Sequence, residues 1–160
     1  MTLKEDNVRV LVVDDEPGVR QVLINYLSGI GYCVDSAQDG SVALEKLEEE
    51  PFDLVITDLK MPNMDGRALL QVMADRYPEI PKLVLTGYST DGDIIHALQT
   101  GASDFITKPI MDFAILQHAV EKAISLLDCF WREKRPMTLT ELSRMTGWPK
   151  STVHNLLSSM

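Results

Sequence analysis

The amino-acid sequence predicts an α/β protein in which a parallel five-stranded sheet is followed by a short all-helical segment. Five short, strongly apolar runs alternate along the chain with segments in which apolar residues recur at helical spacing. This alternation is typical of a parallel sheet whose connecting helices cover both faces. Residues 1–130 carry 10 Lys and Arg against 22 Asp and Glu, a net charge of −12, whereas residues 131–160 carry 5 against 2, a net charge of +3. We therefore expect two parts with separate roles.

The strands are expected at five runs of β-forming residues, which lie at 8–13, 32–37, 53–57, 82–86 and 104–107. The first, third and fourth runs are almost entirely apolar, as central strands are, whereas the second contains polar residues, as an edge strand does. Connections between parallel strands are right-handed, which leaves few arrangements. We predict the doubly wound, flavodoxin-like (βα)₅ fold with strand order 2-1-3-4-5.

Five helices are expected to follow these strands. In the first helix, apolar residues recur at i, i+3 and i+4 from Val19 to Leu27 and include Val22. The fifth helix begins after a predicted N-cap at Asp112 and extends to Leu127. The apolar residues that mark the fourth helix are Ile94, Ile95, Ala97 and Leu98.

Composition excludes several classes of protein. Hydrophobic residues make up 45% of the chain, yet no apolar run approaches the ~18 residues of a membrane helix. The N-terminal sequence MTLKEDNVRV is charged and lacks the apolar core of a signal peptide, so we expect a cytoplasmic protein without a membrane partner. Cys33 and Cys129 are interpreted as reduced, small apolar residues because they form no cluster with metal-ligand spacing.

Polar residues stand at the carboxyl ends of four predicted strands. Asp14 and Asp15 follow the first strand, and Asp58 follows the third. Thr86 ends the fourth strand, and Lys108 follows the fifth. In a sheet of this order, ligands bind at that edge, where the strand order reverses. Neighbouring carboxylates repel one another unless a cation neutralises them, and oxygen ligands suit Mg²⁺. Together with a lysine and a hydroxyl group, this set suits phosphoryl transfer to a carboxylate.

Four sequence motifs resemble the receiver domain of two-component response regulators. They are VLVVDDEP, VITDLKMPNMDG, VLTGY and GASDFITKP, and they occur in the expected order and at the expected spacing. The resemblance covers about residues 6–128. It implies that Asp58 is the phosphoacceptor, with a sensor histidine kinase or a phosphotransfer protein as the donor. It also implies that Asp15, Asp58 and the backbone carbonyl of Lys60 bind Mg²⁺ directly, and that Asp14 acts mainly through a metal-bound water.

The same resemblance implies how the phosphoryl group is sensed. Thr86 and Lys108 would contact the phosphoryl group, and Phe105 stands where this family often has a switching aromatic residue. An aromatic residue in a strand is equally often a core residue, so both interpretations of Phe105 stay open. The family implies no enzyme activity beyond self-catalysed phosphorylation and dephosphorylation, and a homodimer is expected in the phosphorylated state.

Residues 131–160 predict a helix, a glycine turn and a second helix. Thr138 and Glu141 have the spacing of a capping box, which opens a short helix. Gly147 ends this helix, and Pro149 suits the first turn of the next one. This order is typical of a helix-turn-helix, joined to the first part only by WREKRP at 131–136.

The sequence LTELSRMTGWPKSTVHNLL also resembles the DNA-binding region of IclR-type transcription regulators. VEKAISLLDCF at 120–130 resembles the helix that precedes this region in that family, which implies that the fifth helix continues into the DNA-binding unit. The residues expected to face the major groove are Lys150, Ser151, Thr152, His154 and Asn155. Those expected to face DNA phosphates are Arg132, Lys134, Arg135 and Arg144.

We therefore expect a phosphoacceptor receiver domain at 1–130 and a partial helix-turn-helix output segment at 131–160. The Gly-rich wing of the IclR-type unit does not follow before Met160, so we interpret this segment as either truncated or vestigial. The predicted function is that of a response regulator in a two-component phosphorelay. Phosphorylation of Asp58 would switch a DNA-binding output that regulates transcription.

Two alternatives stay open. The chain could be a stand-alone signalling receiver that acts by protein contact, in which case the tail would be a dimerisation hairpin. An enzyme such as a phosphatase of the haloacid-dehalogenase type also uses an aspartyl nucleophile. That family has the motif Asp-x-Asp-x-Thr, whereas Leu59 and Lys60 follow Asp58 here, so the enzyme ranks last.

Overall fold

The computed structural model describes residues 8–87 and 91–158, apart from seven side chains within the helices, those of Asp91, Phe130, Trp131, Thr152, Asn155, Leu156 and Ser158. Its elements are β1 (Arg9–Val13), α1 (Pro17–Gly29), β2 (Cys33–Ala37), α2 (Gly40–Glu49), β3 (Leu54–Asp58), α3 (Gly66–Arg76), β4 (Lys82–Thr86), α4 (Asp91–Gln99), β5 (Asp104–Thr107), α5 (Phe113–Glu133), α6 (Leu139–Thr146) and α7 (Lys150–Ser158).

The five strands form one parallel sheet in the order β2-β1-β3-β4-β5, which confirms the predicted fold. Every residue of β3 and β4 is buried, and Arg9 is the one residue of β1 that is not. In β2, by contrast, only Ala37 is buried. Helices cover the central strands on both faces, whereas an edge strand is partly exposed to water. This explains why the sequences of the central strands are almost entirely apolar and that of β2 is not.

Two apolar clusters lie on opposite faces of the sheet. Alternate residues of β1 belong to different clusters, as expected from the period of a strand. Val10 and Val12 pack in the cluster that contains residues of α1 and α5. Leu11 and Val13 pack in the cluster that contains residues of α2 and α3. The sheet therefore has an apolar layer on each side, and polar residues interior to a strand include Asp35 and Ser36 of the edge strand β2.

Helix α4 differs from its predicted packing. Ile95 and Leu98 are 54% and 40% exposed, although the helical pattern marked them as part of its apolar face. The buried positions of α4 among the described side chains are Asp93 and Ala97, which are one turn apart. Asp93 forms an ion pair with Arg67 of α3, which contributes to compensating its charge on the inward side.

Helix α5 contributes to two apolar clusters. Its N-terminal part, including Leu116 and Val120, packs on the sheet. Its C-terminal part places Leu126 and Cys129 in a separate cluster with Leu142 of α6 and Val153 of α7. The helix thus passes continuously across position 130, and the division of the chain there stays a prediction. In the described part of the chain, no helix is both long enough and apolar enough to cross a membrane.

The capping box predicted at the start of α6 is present. Thr138 Oγ1 accepts a hydrogen bond from the Glu141 amide at 3.2 Å, and Glu141 Oε2 accepts one from the Thr138 amide at 2.8 Å. The pKa of Glu141 is lowered to about 2. The hydrogen bond from the Thr138 backbone is the largest cause, and the hydrogen bond from Arg135 is the second. Gly147 ends α6 with a φ of 75°, a left-handed conformation that favours glycine.

Candidate functional site at the carboxyl edge of the sheet

The strands bring the predicted polar residues to one edge of the sheet. Asp14 directly follows β1, and Asp58 is the last residue of β3. Thr86 is the last residue of β4, and Lys108 directly follows β5. Asp14, Asp58 and Thr86 are buried, whereas Asp15 is exposed. The edge therefore holds a partly enclosed polar site with one side open to solvent.

Four carboxylates converge at this edge. Asp14, Asp15, Glu16 and Asp58 each offer a carboxylate oxygen, and these atoms all lie within 4.8 Å of one another. Glu16 was not among the sequence-predicted ligands. Its position directly after Asp15 was the available signal, because the turn after β1 presents all three acidic residues to the same site.

Lys108 is the cation that faces these carboxylates. Its Nζ atom lies 2.6 Å from Asp14 Oδ2, 3.0 Å from Asp58 Oδ2 and 3.5 Å from Glu16 Oε1. Burial lowers the pKa of Lys108, but the contacts with Asp14 and Asp58 outweigh burial and raise it above its ordinary value. Asp14 Oδ2 accepts no hydrogen bond from the described residues, so the ion pair with Lys108 is what compensates its buried charge.

Backbone contacts fix the two buried carboxylates. Asp14 Oδ1 accepts a hydrogen bond from the Glu16 amide at 2.9 Å, and Arg20 Nη1 donates to the Asp14 carbonyl at 2.6 Å. Asp58 Oδ1 accepts a longer hydrogen bond from the Lys60 amide at 3.4 Å. These contacts hold the site before any ligand binds. The predicted use of the Lys60 carbonyl as a metal ligand stays a prediction.

Gly66 ends the motif VITDLKMPNMDG, but the sequence did not predict its role. A Cβ atom at this position would lie 1.9 Å from the Asp58 carbonyl oxygen and 2.8 Å from the Leu59 Cα atom. Gly66 is not among the glycines with positive φ, so close approach, rather than backbone conformation, requires glycine. The Gly66 amide donates to the Leu59 carbonyl at 3.0 Å, which closes the loop after β3.

Thr86 and Phe105 lie on the same face of the sheet. Phe105 is the register partner of Val84, and Thr86 is two residues further along the same strand. Thr86 is 3% exposed, whereas Phe105 is 37% exposed. The ring of Phe105 is therefore outside the core in this structure, and its role in switching stays a prediction.

A cavity of about 670 Å³ opens beside the carboxylates. One part of its wall is polar and includes Asp15, Asp58 and Lys108. The other part is apolar and is formed by Val19, Val22, Leu23, Ile110 and Phe113. The helical pattern placed Val22 among the apolar residues of α1. In the structure Val22 is 50% exposed and lines this cavity.

The predicted DNA-contacting residues are only partly described. Lys150, Ser151 and His154 are exposed on α7, and the side chains of Thr152 and Asn155 lie outside the described residues. Arg144 and Lys134 are exposed. Two of the arginines that we expected to face DNA phosphates form ion pairs within the chain, and their contact with phosphates stays a prediction. Arg132 forms an ion pair at 2.9 Å with Asp128, which is four residues earlier in the chain. Arg135 forms an ion pair at 3.1 Å with Glu141.

Comparison with known families matches both parts of the chain. Residues 10–121 match the response regulator receiver domain, and residues 119–160 match the IclR helix-turn-helix domain. The two matches meet within α5, the helix that contributes to both apolar clusters.

Curated relatives and solved structures agree with these matches. The chain is 42% identical over 158 residues to the transcriptional regulatory protein ZraR of Escherichia coli K12, covering 99% of this chain and 35% of that protein. It is 38% identical to the response regulator protein PilR of Pseudomonas aeruginosa over 118 residues, 74% of this chain and 26% of that protein. The chain thus spans between about a quarter and about a third of the length of these curated relatives.

Two solved structures show the similarity in three dimensions. A CheY-like receiver domain protein from Methanospirillum hungatei superposes with a TM-score of 0.68 at 32% identity, covering 72% of this chain and 93% of that one. NtrX from Brucella abortus superposes with a TM-score of 0.73 at 29% identity, covering 79% of this chain and 28% of that one. From the extent of the receiver match and the shared fold, the chain belongs to the response regulator receiver domain family, with an IclR-type helix-turn-helix segment after the receiver domain.

Proposed function

We propose that this chain is the receiver and helix-turn-helix part of a response regulator, which accepts a phosphoryl group on Asp58 and thereby controls a DNA-binding output. The observation that carries this proposal is the Asp58 carboxylate, which ends a buried strand, faces an open cavity and lies 3.0 Å from Lys108 Nζ. The donor is a sensor histidine kinase or a phosphotransfer protein, as family membership implies.

The proposed reaction is a nucleophilic displacement at phosphorus. An oxygen of the Asp58 carboxylate forms a new bond to phosphorus while the bond between phosphorus and the donor imidazole nitrogen breaks. The electron pair of that bond leaves with the imidazole, which takes up a proton. Dephosphorylation replaces the acyl-phosphate bond by a bond to a water oxygen and returns the free carboxylate and inorganic phosphate.

The residues present fit a Mg²⁺ ion. The donor set consists of carboxylate oxygens, and buried Asp14 Oδ2 accepts no hydrogen bond from the described residues. Asp14, Asp15 and Asp58, with the Lys60 carbonyl, would hold the ion. Bound there, Mg²⁺ supplies positive charge that reduces repulsion between the carboxylates and the incoming phosphoryl group.

Lys108 and Thr86 act on the phosphoryl group itself. Lys108 already bridges Asp14 and Asp58, so a short movement of its flexible side chain would bring Nζ to a phosphoryl oxygen. Thr86 offers a hydroxyl group at the end of the neighbouring strand, which is paired in register with β3. We propose that Thr86 moves toward the phosphoryl group and that Phe105 then moves from its exposed position toward the space beside β4.

The output is assigned to DNA binding because α6, the Gly147 turn and α7 form a helix-turn-helix with its own apolar cluster. Lys150 and Ser151 at the start of α7 are exposed and lie outside that cluster. Two copies in a phosphorylated homodimer would present two such helices to one DNA duplex.

Phosphorylation of Asp58 is tested by intact mass after incubation with acetyl phosphate and Mg²⁺. Wild type should gain one phosphoryl group, and Asp58→Asn should gain none. Asp65→Asn is the matched control in the same loop, because asparagine caps α3 as well as aspartate does and this variant should label normally. Labelling of Asp58→Asn at the wild-type level would reject the assignment.

DNA binding is tested by gel shift with genomic fragments, using phosphorylated and unphosphorylated protein. Lys150→Ala should weaken binding and reduce its dependence on salt. Lys122→Ala is the control, because it removes a lysine charge from α5 rather than from α7. A protein that dimerises on phosphorylation but binds no fragment in either state would favour the stand-alone receiver with a dimerisation hairpin.

A further inference from the structure

The turn before α2 is bound to the loop that follows Asp58. Asp39 in this turn is 4% exposed, and its two carboxylate oxygens have different partners. Asp39 Oδ1 accepts a hydrogen bond from the Val42 amide at 3.0 Å and so caps α2. Asp39 Oδ2 accepts a hydrogen bond from Asn63 Nδ2 at 3.0 Å. One buried carboxylate therefore joins the start of a helix to a loop that lies 24 residues further along the chain.

A backbone contact reinforces this connection one residue further along both segments. The Gly40 amide donates a hydrogen bond to the Met64 carbonyl at 2.9 Å. A Cβ atom at position 40 would lie 2.9 Å from that carbonyl oxygen and 2.7 Å from Met64 Cγ, so a larger residue there would displace the loop. We call Asp39, Gly40, Asn63 and Met64 the loop anchor.

The chemistry of Asn63 and Asp39 suits a fixed contact. Asn63 has a φ of 62°, a left-handed conformation that asparagine adopts more readily than most other residues with a side chain. The hydrogen bond from the Val42 amide, followed by that from Asn63, lowers the pKa of Asp39. The acceptor is therefore ionised at neutral pH, and hydrogen bonds to an ionised acceptor are stronger than those between neutral groups.

The anchored loop carries the backbone carbonyl that we expect to bind Mg²⁺. This carbonyl belongs to Lys60, two residues after Asp58 and three before Asn63. On the near side of Lys60, the Leu59 carbonyl accepts a hydrogen bond from the Gly66 amide at 3.0 Å. Residues 60–62 thus lie between two fixed points, and Pro62 restricts their backbone further. The loop anchor therefore limits the directions in which the Lys60 carbonyl can point.

We propose that the hydrogen bond between Asn63 and Asp39 orients the Lys60 carbonyl for Mg²⁺, which makes Asn63 a positioning residue for metal binding. This inference rests on the proposed Mg²⁺ site. Mg²⁺ demands near-ideal octahedral geometry, so its affinity depends on the direction of each ligand. A carbonyl that is already oriented also loses less conformational freedom when the ion binds. Release of the loop should therefore weaken Mg²⁺ binding.

The first experiment measures Mg²⁺ affinity of Asn63→Asp by isothermal titration calorimetry. This change replaces the amide donor by a carboxylate of the same shape, which repels the Asp39 carboxylate. Aspartate also tolerates the left-handed conformation. The affinity should fall by about tenfold, as is typical when a group that orients a metal ligand is lost. An added negative charge acting alone would strengthen Mg²⁺ binding, so the sign of the change decides between the two effects.

Gln38→Glu is the matched control. It makes the same change from amide to carboxylate at an exposed residue next to Asp39, and it leaves the contact with Asn63 in place. It should bind Mg²⁺ as tightly as wild type or more tightly. Urea unfolding without Mg²⁺ checks that both variants are folded. Mg²⁺ binding by Asn63→Asp that is as tight as that of Gln38→Glu would overturn the proposal.

A double variant reverses the direction of the hydrogen bond. In Asn63→Asp with Asp39→Asn, the new amide at position 39 can donate to the new carboxylate at position 63. Asparagine caps a helix as well as aspartate does, and the net charge equals that of wild type. The Mg²⁺ affinity should return to within about twofold of wild type, since the two changes compensate each other only if the residues interact. An affinity that stays as low as in Asn63→Asp would also overturn the proposal.

The rate of labelling by acetyl phosphate separates this inference from the proposed function. Asn63→Asp should need about tenfold more Mg²⁺ for half-maximal labelling and should reach the wild-type rate at saturating Mg²⁺. If wild type does not label at Asp58, the proposed function fails, while calorimetry still decides the role of Asn63. If both proteins label with the same Mg²⁺ dependence, the proposed function stands and the role of Asn63 is wrong. Wild-type protein that binds no Mg²⁺ would overturn both the metal site and the role of Asn63.

Discussion

Gly66 lies so close to Asp58 that a single added carbon would collide with the backbone carbonyl of the candidate phosphoacceptor, at 1.9 Å. The first residue of α3 therefore supports the last residue of β3. Asp65 caps the same helix by accepting a hydrogen bond from the Ala68 amide at 2.9 Å. Asp65 thus fixes the start of α3, and Gly66 lets that start approach the Asp58 backbone.

Gly66→Ala should destabilise the protein by about 1–3 kcal/mol, because the loop must shift to admit the extra carbon. Phosphorylation of Asp58 by acetyl phosphate should also become slower, since the carboxylate moves with its backbone. Gly18→Ala is the control, because no heavy atom lies within 4 Å of the Cβ atom that alanine would add there and alanine favours the helix. Urea unfolding and intact mass measure the two effects. Unchanged labelling by Gly66→Ala would show that the contact does not position Asp58.

The sequence was sufficient to predict the fold and the gathering of Asp14, Asp58, Thr86 and Lys108, because each stands at the end of a strand and parallel strands end at one edge. It could not predict the contact of Gly66 with Asp58, because this depends on the path of a loop. The helical pattern also could not predict which side of α4 faces the protein. That pattern counts apolar residues within one helix, whereas the Arg67–Asp93 pair joins two helices.

Lys108→Met should destabilise the protein without divalent cations by about 3 kcal/mol, because Asp14 would be left buried without its cation. Removing the lysine charge should also raise the affinity for Mg²⁺, since the carboxylates then lack a competing cation. We therefore expect Mg²⁺ to raise the melting temperature more in Lys108→Met than in wild type, which a thermal scan would measure. A smaller Mg²⁺ effect in the variant would contradict the proposed metal site.

Lys82 predicts a distinct alkaline pH dependence of stability. Burial at the start of β4, only partly opposed by Glu79, lowers its pKa to about 8 from 10.5. Below pH 8 the lysine is protonated in both states, so the full cost of burying the charge is present. Between about pH 8 and 10.5 the folded protein has lost this proton while the unfolded chain keeps it, so the free energy of unfolding should rise with pH.

Lys82→Met should abolish this rise, which urea unfolding at a series of pH values would detect. Lys108 has the opposite sign, because its raised pKa means that its stabilising effect is lost only as the pH passes above 10.5. The two lysines therefore act in different pH ranges. Lys122→Met is a control for removal of a lysine charge from α5. If Lys82→Met keeps the full rise in the free energy of unfolding between about pH 8 and 10.5, another group titrates in this range.

Leu142→Ala tests whether the helix-turn-helix can unfold independently of the receiver. Leu142 is 1% exposed in the cluster with Leu126, Cys129 and Val153, and its truncation should cost about 2–5 kcal/mol within that cluster. The sheet and its two clusters contain none of the residues of α6, so the receiver should keep its structure. We expect Leu142→Ala to label at Asp58 like wild type and to lose DNA binding.

Met145→Ala is the matched control on the same helix, because Met145 is 40% exposed and its loss should leave both activities near wild type. Hydrogen exchange separates the outcomes along α5. In Leu142→Ala, exchange should accelerate from Leu126 to the C-terminus and stay slow around Leu116 and Val120, which pack on the sheet. Acceleration along the whole of α5, with loss of labelling at Asp58, would mean that the two parts fold as one unit. The division at residue 130 would then be wrong, and α5 would transmit unfolding of either part to the other.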